Sequence, residues 1–303
     1  MRTSFEQIIN KRHIATGKGH PDIPYVIALA ERETLPPAVN DKKKVLLLAI
    51  DIQNDFMEGI GSLGVPGSKG DVQRLTHWMY DNMSKLTKVM CSLDTHITDQ
   101  IFHPRWWKDS NGNQPAPFTI ISYDDVKNEK WVPVYEEYAS FKYVQCLELL
   151  GRQPLTIWPY HCLQGTFGNQ LEAEFAKMMY FHSVARQSTP VLVPKGMNPL
   201  TEMYGIIKAE YDPSGFVNMP VLNAIEDFDE IYIAGEASSH CVAASAQQIL
   251  EHFADDPSIA SRITILEDCT SPVPGFEQNA QDAFAELQEE YGIRVAKSTE
   301  IKL

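Results

Sequence analysis

The sequence predicts an α/β protein in which a mostly parallel central sheet lies between layers of helices. Two patterns carry this reading. Short apolar-rich segments read as strands recur at 45–50, 88–93, 191–194, 231–235 and 263–266, and the first, a continuous apolar run, marks a strand covered on both faces. Several of the segments between them place apolar residues three and four apart, as on one face of a helix. Strands alternating with helices on this scale build βαβ units, and so a three-layer, Rossmann-like architecture.

Taken in order, residues 1–42 read as an N-terminal arm, with a helix near 25–32 stopped by Pro36-Pro37 and too little apolar periodicity for a domain. Residues 43–303 form the main domain. The run 45–50 ends at Asp51, a loop from Gly59 to Gly70 leads into a helix over 71–86, and the next strand, 88–93, ends at Asp94. A helix at 170–183 precedes the strand 191–194, which ends at Lys195. The strand 231–235 leads through Cys241 into a helix whose apolar face holds Val242, Ala246, Ile249, Leu250 and Phe253. A strand at 263–266 and a helix at 278–291 complete the alternation. Residues 104–157 break the rhythm, being rich in Pro, Gly, Asn and aromatic residues. They read as an inserted lid or interface segment with a short strand at 118–121 and a helix at 138–150, placing Trp106 and Trp107 near the site entrance.

Composition narrows the function. A chain of 303 residues, 44% apolar and 22% charged, buries a substantial core. Its 26 basic and 40 acidic residues give a net charge of −14, which disfavours nucleic acid as a partner. No apolar leader opens the chain and no run is long enough to span a bilayer, so a cytoplasmic protein without a membrane partner is expected. Five cysteines at irregular spacing suit reduced thiols better than a disulfide framework.

In open parallel sheets, ligands bind beyond the carboxyl ends of the strands. Asp51, Asp94, Lys195 and Cys241 each follow a different predicted strand. Singly, each has an ordinary use as a turn, cap or packing residue. Together they suit nucleophilic catalysis: Lys195 favours the Cys241 thiolate, Asp51 takes the thiol proton, and N–H groups at the turn before Cys241 hold an oxyanion. Cys241 stands where a strand becomes a helix, a position expected to lower the pKa of its thiol. No Gly-x-Ser-x-Gly elbow competes with it. A second constellation comprises Asp94-Thr95-His96, then His103, then Trp158-Pro159-Tyr160-His161-Cys162. Two imidazoles and a carboxylate suit a catalytic zinc or a non-haem iron site, and their spacing does not choose between them.

Asp51-Ile52-Gln53-Asn54-Asp55-Phe56, Asp94-x-His96, the Trp158–Thr166 stretch, Pro194-Lys195-Gly196 and Ala237-Ser238-Ser239-His240-Cys241-Val242 come in an order that resembles the isochorismatase-like cysteine hydrolases, and among them the nicotinamidases. The resemblance covers residues 44–296 with interruptions. It implies an isochorismatase-like fold and a Cys241–Asp51–Lys195 triad that attacks a small carboxamide, forms a thioester and releases ammonia. It also implies that Asp94, His96 and His161 hold a divalent metal, Zn2+ or else Fe2+ or Mn2+, that positions a ring nitrogen, with His103 a further candidate ligand. Phe56 and Trp158 match aromatic residues of the ring pocket. A cis peptide is implied at Glu236–Ala237, with the N–H groups of Ala237 and Cys241 as the oxyanion hole, and a homo-oligomer is expected. Three features depart from the pattern: Glu236 where an apolar residue is usual, the long 104–157 segment, and the arm. A related hydrolase of another amide, or of an N-carbamoyl or ureido compound, and a catalytically silent binding or scaffold protein are the competing readings.

Overall fold

The computed structural model describes residues 1–17 and 22–303. Its core is a six-stranded sheet of β1 (Val45–Ile50), β2 (Lys88–Asp94), β3 (Val191–Lys195), β4 (Glu230–Gly235), β5 (Ile263–Leu266) and β6 (Arg294–Ala296), in the spatial order β6-β5-β4-β1-β2-β3. Every pairing is parallel. All six residues of β1 are buried, as a central strand covered on both faces requires. At the carboxyl end of β4, Gly235 pairs with Ile50 at φ +121°, and a Cβ there would stand 1.9 Å from the Ile50 carbonyl oxygen. Only glycine lets the two strand ends approach so closely.

The principal helices are α1 (Ile23–Ala30), α2 (Ser68–Asp81), α3 (Glu137–Leu149), α4 (Ala173–Ala185), α5 (Met219–Glu226), α6 (Ala243–His252) and α7 (Glu277–Tyr291). Helix α4 packs against α1 and α2, while α6 and α7 pack on each other, so the sheet is sandwiched as the alternation predicts. Two of these elements went unread in the sequence. Strand β6 is a three-residue edge strand with an exposed Arg294, and α5 is short with a proline in its first turn. Neither is long enough for its periodicity to show.

Residues of the N-terminal segment, including Phe5, Ile8, Ile9, Ile14, Val26 and Leu29, are buried in the same hydrophobic cluster as the sheet. The segment is tied down by polar contacts as well. Glu172, which caps α4, accepts the Ala15 N–H at 3.2 Å, and the fully buried Arg186 binds the Asp41 carboxylate at 2.6 Å and the Pro36 carbonyl.

Within 104–157, Trp107–Lys108 pairs with Val132–Pro133 and Ile120–Ile121 with Leu155–Thr156, both antiparallel. Trp106 and Trp107 do not stand at a site entrance as expected from the sequence. Both are buried, with indole N–H groups donating to Ser140 Oγ at 2.9 Å and the Ile101 carbonyl at 2.6 Å. Large apolar area and a satisfied donor make them the core of this segment. All five cysteines are unpaired, and no helix among the described residues is long and apolar enough to cross a membrane.

Candidate active site

Strands β4, β1, β2 and β3 are consecutive neighbours, so their carboxyl ends bring Cys241, Asp51, Asp94 and Lys195 to one stretch of rim. All four are buried. Lys195 lies in register with Asp94, and its Nζ sits 2.9 Å from Asp51 Oδ2, 3.1 Å from Asp94 Oδ1, 3.0 Å from the Met203 carbonyl and 3.7 Å from Cys241 Sγ. Asp51 adopts a left-handed φ of +46° as the chain leaves β1. Ser92 fixes it there by donating its hydroxyl to Oδ1 at 2.6 Å and accepting the Asp51 N–H at 3.0 Å.

Burial and charge compete in this cluster. Burial raises the Asp51 pKa and the Lys195 ammonium opposes it, leaving a net upward shift. Burial works against the Lys195 charge, yet Asp51 and Asp94 outweigh it and hold the ammonium well above the usual lysine range. The Cys241 thiol is pushed well above its ordinary value by burial, with Lys195 pulling the other way. The acidified thiol expected from a helix N-terminus is therefore not the resting state. The reason is local: Cys241 lies in a wide π-type turn, Ser238–Val242, ahead of α6, and both the His240 and Val242 N–H groups are spent on the Ala237 carbonyl. A desolvated sulfur with weakened dipole support stays protonated.

Asp94 links this cluster to a second one. Its Oδ1 faces Lys195, while Oδ2 lies 2.8 Å from His96 Nε2 and 3.4 Å from His161 Nε2. Ligand atoms of Asp94, His96 and His161 all fall within 4.8 Å of one another. His96 Nδ1 faces the Gly196 carbonyl at 3.1 Å and His161 Nδ1 the Pro159 carbonyl at 2.8 Å. A carbonyl only accepts, so each Nδ1 carries a proton and Nε2 is the atom turned inward, the arrangement a metal-bound imidazole requires. The residues fit a divalent cation. His103 Nδ1 donates likewise to the Thr98 carbonyl, leaving a buried Nε2 without a partner among the described residues, but its ring centroid stands 6.1 Å from that of His96 and 6.3 Å from that of His161. It lies beside the group of three. Gln53 clamps the backbone of Asp94 through two 2.8 Å hydrogen bonds, which keeps the carboxylate between its two sets of neighbours.

Between these clusters lies a small cavity whose wall includes Phe56, Trp158, His161, Asp94, Ala237 and Cys241. Glu202, Tyr204 and His240 also line it, and sequence reasoning assigned them no role. The Glu202 N–H donates to the Tyr143 hydroxyl at 2.9 Å, its Oε1 accepts the Met203 N–H at 2.9 Å, and the Trp158 indole donates to the Tyr204 hydroxyl at 3.2 Å. His240 packs edge-on to Trp158 and Phe276. Glu202 and Tyr204 follow β3 in an aperiodic loop, so their only sequence signal was a place just beyond a strand's carboxyl end. The Glu236–Ala237 peptide is cis, and the Ala237 N–H has no acceptor among the described residues.

No family model matches the chain. The nicotinamidase of Saccharomyces cerevisiae is 24% identical over 229 residues, covering 75% of this chain and 88% of that protein. The nicotinamidase of Escherichia coli is 24% identical over 247 residues, covering 80% and 89%. Among solved structures, the yeast nicotinamidase bound to the inhibitor nicotinaldehyde superposes with a TM-score of 0.59 at 21% identity, covering 84% of this chain and 99% of that one. The chain therefore has the isochorismatase-like fold and is similar in sequence to the nicotinamidases that share it.

Proposed function

We propose that the chain is an amidohydrolase that converts a small, nicotinamide-like carboxamide to the carboxylic acid and ammonia through a thioester on Cys241. The observation that carries this reading is one buried ammonium, Lys195, within 3.7 Å of Cys241 Sγ and within 3.1 Å of both Asp51 and Asp94, beside an aromatic-walled cavity. Burial raises the pKa of both the thiol and Asp51, and the upward shift makes Asp51 a stronger base for the thiol proton. In this scheme Asp51 takes the thiol proton as Sγ attacks the carboxamide carbon, and the Ala237 and Cys241 N–H groups hold the oxyanion. Asp51 then returns the proton to the departing nitrogen, and water releases the acid from the thioester. Lys195 keeps its charge throughout and steadies the anionic states of Sγ and Asp51. Asp94, His96 and His161 would hold a divalent ion, zinc by preference, which supplies a Lewis-acid contact for a ring nitrogen. Phe56 and Trp158 would flank the ring.

Ammonia release from nicotinamide tests the reading, with Cys241→Ala expected to lower turnover by roughly 10³-fold or more. Nicotinaldehyde should also protect Cys241 from alkylation, and a chain in which neither effect appears is not an enzyme of this kind. One observation favours a second substrate class. Glu202 brings a carboxyl group to the cavity wall, which suits an additional N–H donor such as that of an N-carbamoyl or ureido compound. A carboxamide and ureido panel separates the two. A cytoplasmic assembly of identical subunits belongs to the same proposal, and light scattering checks the subunit number.

A further inference from the structure

Glu236 is the residue at which this chain departs from the pattern it otherwise resembles, and its side chain has an unusual neighbour. It leaves the end of β4 fully buried, at 1% exposure, and meets the carboxyl group of Asp71 on the first turn of α2, itself 2% exposed. Asp71 Oδ1 is taken by Arg74 Nη2 at 2.7 Å. Among the described residues, Asp71 Oδ2 and both oxygens of Glu236 have no well-aligned donor. The other groups facing the pair are Ser271, whose hydroxyl turns towards Asp71 and whose main-chain N–H turns towards Glu236, and, further out on the turn after β5, the Cys269 thiol and Asp268. The Asp268 main-chain carbonyl holds Arg74 Nε and its carboxylate is spent on Ser298. Among the described residues Arg74 is thus the single cation facing two carboxyl groups, and its side chain is 45% exposed.

We propose that Asp71 and Glu236 share one proton, and that this carboxyl–carboxylate bond positions the turn carrying Ala237 and Cys241. Two adjoining carboxylates out of water cannot both ionise without a second cation, whereas one proton between them makes a short, charge-assisted hydrogen bond. Burial and the neighbouring Asp71 charge both favour the protonated form of Glu236. The bond also has a place in the architecture. The Glu236 N–H donates to the Ile50 carbonyl at 2.8 Å and the Ser238 N–H to the Ser271 carbonyl at 2.9 Å, so the backbone on either side of Ala237 is pinned to β1 and to the loop after β5. The Glu236 side chain adds a third tie, to α2. Loss of the proton puts two like charges in contact at that tie and pushes the residue before Ala237 out of place. Asp71 and Glu236 are positioning residues in this account, since neither lines the cavity.

The experiment measures turnover and thermal midpoint from pH 6 to pH 10 for the full chain, for Glu236→Gln, in which an amide donor replaces the shared proton, and for Glu236→Ala. Above the ordinary glutamate range the folded protein keeps a proton that the unfolded chain has released, so wild-type stability falls as pH rises. The thermal midpoint of Glu236→Gln should lack that part of the fall. Its kcat at pH 7 should stay within about threefold of wild type and hold at pH 9, where wild type drops about tenfold, and Glu236→Ala should lose kcat with little change in KM. Asp71→Asn should reproduce the Gln pattern and serves if Glu236→Gln does not fold. Parallel pH profiles for wild type and both amide variants would overturn the proposal. So would an alkaline loss in wild type that added Na+ or Mg2+ reverses, because the pair would then hold a cation. The kinetic arm rests on the amidase reading and the thermal arm does not, so a chain inert towards amides that shows the thermal pattern fails one and supports the other.

Discussion

Two pairs of buried carboxyl groups flank the turn that carries Cys241, and they are held in opposite ways. Asp51 and Asp94 have Lys195 between them, contacting one oxygen of each. Among the described residues, the one cation beside Asp71 and Glu236 is Arg74, which reaches one oxygen of Asp71 from a half-exposed position. The same kind of group is therefore balanced by different partners on the two sides of the turn. An enclosed ammonium favours anions: Asp94 lies well below its usual pKa because His96 and Lys195 overcome the burial that would raise it, while at Asp51 Lys195 offsets burial only in part. Without an enclosed cation, a proton is the cheaper counter-charge. What separates the pairs is the cation buried with them rather than their depth.

Breaking the first pair should have the largest effect. Lys195→Met leaves Asp51 and Asp94 buried without their cation, which should cost about 3–5 kcal/mol in urea unfolding and abolish turnover. A variant as stable as wild type would show that the two are not held as anions. Asp94→Asn should be milder on stability, since Lys195 keeps Asp51, but it should strip the bound metal measured per chain by mass spectrometry and reduce turnover by roughly 10²-fold. Full metal content in that variant would remove Asp94 from the ligand set.

Acid pH sharpens the comparison from the other side. His182 and His240 are both pushed down to about 4, in each case by burial. They are neutral in the fold and take up protons on unfolding, so their contribution is intact above the free-histidine range and is lost as pH falls from there towards about 4. His182→Gln, which can still donate to the Leu86 carbonyl, should flatten part of the acid limb seen in thermal melts. An unchanged limb would return the acid sensitivity to Asp94, the depressed carboxyl of the other pair. The smallest effect expected is at the cavity wall, where Trp158→Phe removes the bond to Tyr204 and should raise KM by about fivefold, near 1 kcal/mol.

How much of this was legible in the sequence depends on the physics behind each signal. The ends of β1, β2 and β3 could be read because each strand is apolar-rich, wholly buried in β1 and half-exposed in the edge strand β3, and the charged residue at its end marks the rim. That logic located Asp51, Asp94 and Lys195 without coordinates. The state of Cys241 could not be read, because a chain-local argument sees the helix start but not the desolvation or the π-type turn. Trp106 and Trp107 were misplaced for a related reason, since aromatic residues in an irregular segment look the same whether they wall a site or fill a core. Glu202 and Tyr204 sit in a loop whose path has no period to follow. Glu236 stood out in the sequence as an oddity, but its partner Asp71, 165 positions earlier, came into view only with the packing of α2 against the end of β4.

The most direct test of the amidase account is quenched-flow mass spectrometry of the full chain turning over nicotinamide. The account predicts one acyl group on the peptide containing Cys241 during turnover, absent from Cys241→Ala. Ammonia release that continues in Cys241→Ala, or turnover with the acyl group on another residue, would contradict it.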